Sequence, residues 1–491
     1  MKRSTKSILI AAAAVIVIAA AVALIVINSA VNPDPEREHS ILYLKSSEDE
    51  NTYVFYDDAM LDTYIPGSVD AYLTCDGSVA LMRGGTGLYR ADKDGIIKVY
   101  PVGVDRAVLS LDNRFALFST STKAHVYDHE SGEVTEIEGL NAEEITSLVI
   151  SPNSKAFAVS VIDENGKTMT YVYKDGETKL LRENACIAAI GDDGESGYYV
   201  EAYGNELTGK LYYIAKTDKL IAEKAEANFE ISRDLREITF DIEEKTHYSI
   251  DGSKAKKLMD ASVITYAGKS SCAMGGKYCT VNIKDVDSIF DCIYYTAYTS
   301  QDENSNTLRS YDLYYVSSNR AVTKLVGGTT RFVIGDDGKR IACLVDNDVY
   351  TVSAYNPTSP TKVITNCYTF TCTGDLEEFY AVDNYATLKY VRLGESPVTL
   401  LANAYFVIMG SDDTCLCIND YEDNGGSLYY VKNGVCSEEP VANGVYSVEA
   451  MHGVVVYYAD GSESTGVFDV YASKDAMQFE LALEKVQLTK N

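Results

Sequence analysis

The residues of this chain best suited to chemistry are clustered acids. Asp92-Lys93-Asp94-Gly95, Asp346-Asn347-Asp348 and Asp420-Tyr421-Glu422-Asp423-Asn424-Gly425 each bring several oxygen donors into one short segment. Calcium favours such a set of carboxylates and carbonyls. None of the three completes a twelve-residue loop ending in a bidentate glutamate, and the same residue types build tight hairpin turns. No cofactor is expected. A bound Ca2+ would be sought first at Asp420, Glu422 and Asp423.

Nucleophilic and redox chemistry find less support. There is no G-x-S-x-G elbow, no H-E-x-x-H, no Walker phosphate loop, and no G-x-G-x-x-G after a strand. Of five histidines only His125 and His129 lie close together. Their spacing puts them on one face of a strand or helix, but surface histidines are the simpler reading than a metal pair. Eleven cysteines are scattered along the chain. Cys279, Cys343 and Cys417 sit in apolar runs and read as small buried side chains. Cys415 and Cys417 share a strand face, and Cys367 with Cys372, or Cys272 with Cys279, are the candidate disulfides.

The elements that must carry these residues repeat. The stretch 331–366 reads as four short apolar strands, with the turn Asp336-Asp337-Gly338 between the first two. Similar turns recur at Thr74, Ser110, Ser151, Gly191, Ser232, Ala273, Gly335, Thr373, Gly410 and Ala450. The step is about 40 residues, the length of a four-stranded antiparallel unit, except across 274–334, which marks a seam or insertion. A second recurring strand, as in Leu211-Tyr212-Tyr213-Ile214 and Leu428-Tyr429-Tyr430-Val431, should place one ring between sheets and one outward. With 38 tyrosines, 9 prolines and no tryptophan, the composition favours many short strands.

The copies at Ser151 (ISPNSKAFAVS), Gly335 (IGDDGKRIACL) and Ser110 (LSLDNRFALF) resemble the repeat of WD40-like propellers of the TolB and prolyl-oligopeptidase type. The tyrosine strands are similar to exported bacterial propellers of unassigned function. The resemblance spans roughly Ser40 to Val486 and implies an all-β propeller of about ten four-stranded repeats, in one large ring or two smaller ones. The complete lack of Trp departs from WD dipeptides and Trp-containing Asp-boxes.

Ahead of the repeats, Lys2, Arg3 and Lys6 form a basic segment (1–7) before an uncharged apolar run at 8–27. The run matches the ~20 residues of a membrane-spanning helix and is longer than a signal-peptide core. Its flanking charge predicts a cytoplasmic N-terminus. Residues 28–40 then form a stalk, and 41–487 an extracytoplasmic propeller. Net charge is −29, which repels phosphate backbones and excludes nucleic acid, while attracting basic peptides and cations.

Two functions fit these expectations. One is a membrane-anchored, non-catalytic binding or scaffold module for a cell-envelope protein, peptide or glycan. The other is a propeller glycan lyase or hydrolase with a carboxylate/Tyr site at its channel. Either would place its specificity where the copies differ, in the insertion and in loops outside the shared turn.

Overall fold

The computed structural model describes residues 39–487, apart from 58, 74–76, 202–207, 227, 268–269, 274–279, 302–306, 411–412, 423–424, 452–453, 463–466 and 474. The expected membrane helix and basic segment lie outside the described residues. Among those described, no helix is long and apolar enough to cross a membrane.

The chain is an all-β propeller of eleven blades. In sequence order they occupy 41–65, 69–100, 106–136, 144–183, 185–226, 228–257, 264–329, 331–364, 367–402, 404–445 and 447–487, here blades 1 to 11. Blade 1 has three strands, and most others are four-stranded antiparallel meanders. Burial falls across each blade. In blade 4 the strands Glu144–Ile150 and Phe157–Ile162 are almost wholly buried, Thr168–Lys174 alternates, and Glu177–Glu183 is largely exposed. That gradient explains the sequence: inner strands are continuous apolar runs because both faces meet neighbouring sheets, whereas outer strands admit charge.

The shared turn has one backbone signature. Its fourth residue donates its N–H to the carbonyl of its first, as in Asn113 to Ser110, Ser154 to Ser151, Gly194 to Gly191, Leu235 to Ser232, Gly338 to Gly335 and Leu376 to Thr373. That fourth residue takes a left-handed φ, between +57° at Leu376 and +74° at Gly194. Gly and Asn adopt this region readily; Leu does so only when packing compensates. At Leu376 the compensation is visible. The side chain is buried against Gly335 of blade 8, where an added Cβ would meet Leu376 Cδ1 at 3.1 Å.

By contacts the chain divides into two compact units. One holds the described residues up to Tyr64 with Tyr298–Asp312 and those from Leu325 onward, so it carries blades 8 to 11 and nearly all of blade 1. There the Ser46 and Val486 strands form an antiparallel bridge, Ser47 N donates to Lys485 O at 2.9 Å, and Lys485 pairs with Glu48. The first strands of the propeller are thus joined to its last. The second unit holds Ile65–Ala297 and Leu313–Lys324, with blades 2 to 6. Its largest core joins blades 4, 5 and 6.

The repeat count needs two corrections. Blade 1 lacks the turn motif and escapes a motif search. The turn read at Ala273 belongs to no blade: Ser270–Ala273 and Thr280–Lys284 form a hairpin inserted between the first and second strands of blade 7. The insertion therefore ends before Cys292, and most of 292–329 is blade strand rather than inserted chain.

Candidate functional site

Several carboxylates of the acidic turns bond to their own chain. Asp92 pairs with Arg90 and caps the N–H of Asp94. Asp346 and Asn347 both take positive φ, the geometry of a two-residue hairpin turn, and Asp348 holds Lys362 at 2.6 Å. Asp420 accepts amide protons from Asn403 at 2.8 Å and Asn419 at 2.9 Å. Glu422 ends its strand and is exposed, and Asp423 lies outside the described residues. Among the described residues no group of His, Cys, Asp and Glu is arranged to hold a metal.

The histidines differ from expectation. His125 and His129 are not on the surface; they are 3% and 9% exposed. His125 Nε2 meets the Tyr100 hydroxyl at 3.0 Å and its ring stacks on Phe118. Neither ring nitrogen of His129 has a hydrogen-bond partner among the described residues, and burial next to Arg90 pushes its pKa down to about 4. The strand Ala124–Asp128 is buried on both faces through Tyr127, which encloses His125, and the tight turn that follows carries His129 back against Tyr127.

The cysteines behave as apolar side chains. Cys343, Cys367, Cys372, Cys415 and Cys417 are buried free thiols. Cys367 and Cys372 begin and end one strand, which keeps them from bonding. Cys272 has no described side chain and Cys279 lies outside the described residues. In the paired tyrosines Tyr212 stacks on Tyr199 and Tyr213 meets Tyr198 edge-on, each ring meeting its cross-strand partner, and both are half-buried.

The insertion hairpin adds to blade 6. Thr280–Lys284 pairs in parallel with the blade's innermost strand, Asn228–Ser232. The hairpin's other strand, Ser270–Ala273, packs on the first strands of blades 3 and 4, and Thr280–Lys284 on that of blade 5. It thus covers the inner strands of four blades. Beneath it lies a buried ion pair, Lys284 Nζ to Glu230 Oε2 at 3.1 Å, with Asn282 Nδ2 donating to Glu230 Oε1 at 3.0 Å. Burial raises the Glu230 pKa and Lys284 opposes the rise.

An open cleft of about 540 Å3 lies between blades 10 and 11. Tyr430, Tyr457, Met477 and Phe479 supply its apolar lining, and Glu438 and Glu439 its charge. Both walls are fixed. On one side Ser437 N donates to Tyr430 O and Val441 N to Leu428 O, so the segment holding both glutamates is pinned at each end, with Pro440 between. On the other, Asp475 accepts from the Ser473 hydroxyl and the N–H groups of Met477 and Gln478. The Tyr457 ring stacks on Tyr471 at 4.7 Å and meets Phe479 edge-on at 5.0 Å. Burial beside Tyr471 and Asp460 pushes the Tyr457 phenol up to about 12, so it stays neutral. No fixed spacing marks these residues. Their only sequence signal is that Ser437-Glu438-Glu439-Pro440 and Asp475-Ala476-Met477 fall in loops outside the shared turn.

No protein-family model matches the sequence and no curated protein matches it. Solved structures similar to it include a eukaryotic initiation factor (11% identity, 84% of this chain and 97% of that one, TM-score 0.41). The extracellular domain of a one-component system from B. thetaiotaomicron is similar over 91% of this chain and 77% of that one, at 7% identity and TM-score 0.29. A TolB-type protein from Agrobacterium tumefaciens covers 54% of this chain and 92% of its own, at 15% identity and TM-score 0.30. At these values the propeller assignment rests on the chain's own eleven sheets.

Proposed function

We propose that this chain is a membrane-tethered, extracytoplasmic propeller that binds a cell-envelope protein, peptide or glycan without catalysing its conversion. The observation that carries the reading is the cleft between blades 10 and 11, where aromatic rings and two carboxylates stand on walls already held by backbone hydrogen bonds. Prior fixing of a site lowers the ordering cost of binding and is typical of recognition surfaces. The run 8–27 supplies the tether, and the strong acidity suits a cationic partner rather than nucleic acid.

Intact cells treated with protease should lose the propeller while retaining the N-terminal segment; full protection would remove the extracytoplasmic assignment. The purified chain is then incubated with envelope polysaccharides and peptides. Retention without turnover is expected. Conversion of any of these polymers by the purified chain would replace this reading with a propeller hydrolase or lyase.

A further inference from the structure

We propose that the cleft between blades 10 and 11 takes the lysine or arginine side chain of a basic envelope peptide, an inference that rests on the binding function above. Its chemistry is complementary to that group alone among common side chains. Tyr430 and Phe479 bring half-buried rings to the lining, Tyr457 backs them as a buried ring stacked on Tyr471, and Met477 adds a polarisable apolar contact. Glu438 and Glu439 are exposed at the same opening. Among the described residues no Lys or Arg lines the cleft.

An alkyl stem with a terminal cation meets both features. Its methylenes cover the rings, and its charge reaches the glutamates or a ring face as a cation–π contact. A neutral or acidic side chain gains only the first contact or is repelled. The volume, about 540 Å3, lies within the range of ligand sites and holds one long side chain with flanking backbone. The pinned segment 437–441 and the Asp475 turn keep both walls in place before the ligand arrives.

The test is fluorescence anisotropy of a labelled Gly-Lys-Gly-Arg-Gly-Lys peptide with the full chain in detergent. Its counterpart carries acetyl-lysine and citrulline. The cationic peptide should bind and the neutral one should bind at least roughly tenfold more weakly, as loss of a desolvated cation–π and carboxylate contact requires. Glu438→Gln with Glu439→Gln should weaken the cationic peptide roughly tenfold. Phe479→Leu, which keeps apolar volume but removes the ring, should weaken it by about threefold or more. Glu177→Gln with Glu395→Gln removes two exposed carboxylates elsewhere and should leave affinity within about twofold. Equal losses in both double variants would mean diffuse attraction and overturn the proposal, as would equal binding of the neutral peptide. Melting curves of every variant separate misfolding from lost contact. A chain that ignores the peptide but retains an envelope glycan sinks this inference and leaves the wider binding function standing.

Discussion

Arg233 and Asn153, 80 residues apart, are joined by a 3.0 Å hydrogen bond from Nη2 to Oδ1. They stand in the shared turns of blades 6 and 4. The turn between them takes part as well, because Asp192 of blade 5 accepts the backbone N–H and the side-chain amide of Asn153 at 3.0 and 2.6 Å. The other arm of Arg233 holds Asp285, just beyond the insertion hairpin, at 2.7 Å. Two carboxylates, Asp192 and Asp285, here fasten one turn to the next. Asn153→Ala removes the two side-chain hydrogen bonds, to Asp192 and from Arg233, and should cost about 1–2 kcal/mol in urea unfolding. Arg233→Ala, at a half-exposed side chain, should cost less than about 1 kcal/mol. A double variant costing the plain sum would show that the pair is uncoupled, contrary to the geometry.

His129 should make stability depend on pH. The imidazole titrates near 6.5 when unfolded and near 4 when folded, so between those values the unfolded chain binds the extra proton. Stability is full above about pH 6.5, declines as pH falls, and levels off below 4, for a loss on the order of 3 kcal/mol. Arg90 opposes protonation, while Asp92, Asp112 and Asp128 favour it. The buried carboxyls of Glu230, Asp241 and Glu449 have raised pKa values and act in the opposite sense. The measurement is therefore the difference between the parent and His129→Gln across pH 4 to 7, which should shrink as pH falls.

Lys284 and Glu230 are each more than four-fifths buried, so removing one partner strands the other. Lys284→Met should cost about 3–5 kcal/mol at neutral pH, and adding Glu230→Gln should recover most of it. Because the stranded carboxyl can protonate, the cost of Lys284→Met should diminish in acid. A loss that is constant between pH 4 and 8 would show that the ion pair is not its source.

Leu376 sets backbone preference against packing. Glycine would relieve the left-handed φ by about 1 kcal/mol, yet it surrenders a buried leucine worth about 2–3 kcal/mol. Leu376→Gly should therefore destabilise by about 1–2 kcal/mol. Gly335→Ala should cost about 1–3 kcal/mol, since the new methyl presses on the same leucine.

Alkylation with iodoacetamide at pH 8 should label Cys436 first among the described cysteines, because it alone is half-buried. Burial pushes the thiols of Cys343 and Cys367 up to about 12, and both should react only after denaturation. Peptide mass spectrometry reads the order directly. Labelling of Cys417 ahead of Cys436 would contradict the packing.

The blades were legible because each turn needs a left-handed residue at one place, and Asn113, Gly194 and Gly338 satisfy that need in the way propensity predicts. Leu235 and Leu376 meet it through tertiary contact, which no local pattern records. The strands of blade 1 were not counted as a repeat because its first turn, Glu48 to Glu50, does not share the motif. The Gly275-Gly276 pair near Ala273 imitated one in sequence, whereas the flanking Ser270–Ala273 and Thr280–Lys284 are strands of an inserted hairpin. The cleft was illegible for a different reason: its walls come from loops of two blades, and only folding brings Glu438 beside Phe479. His129 misled because a polar residue in an acidic turn ordinarily faces water.

The Ser47 to Lys485 contact closes a loop of 438 residues, whereas each blade turn closes loops of a few residues. Loop entropy grows as the logarithm of length, so relative to a blade of about 40 residues this closure costs roughly 2 kcal/mol more. Local meanders can form first and the terminal join last, when the rest of its unit is already ordered. In native-state hydrogen exchange the amides of Ile41–Lys45 and Glu480–Gln487 should accordingly open together, ahead of the inner strands of blades 8 to 10.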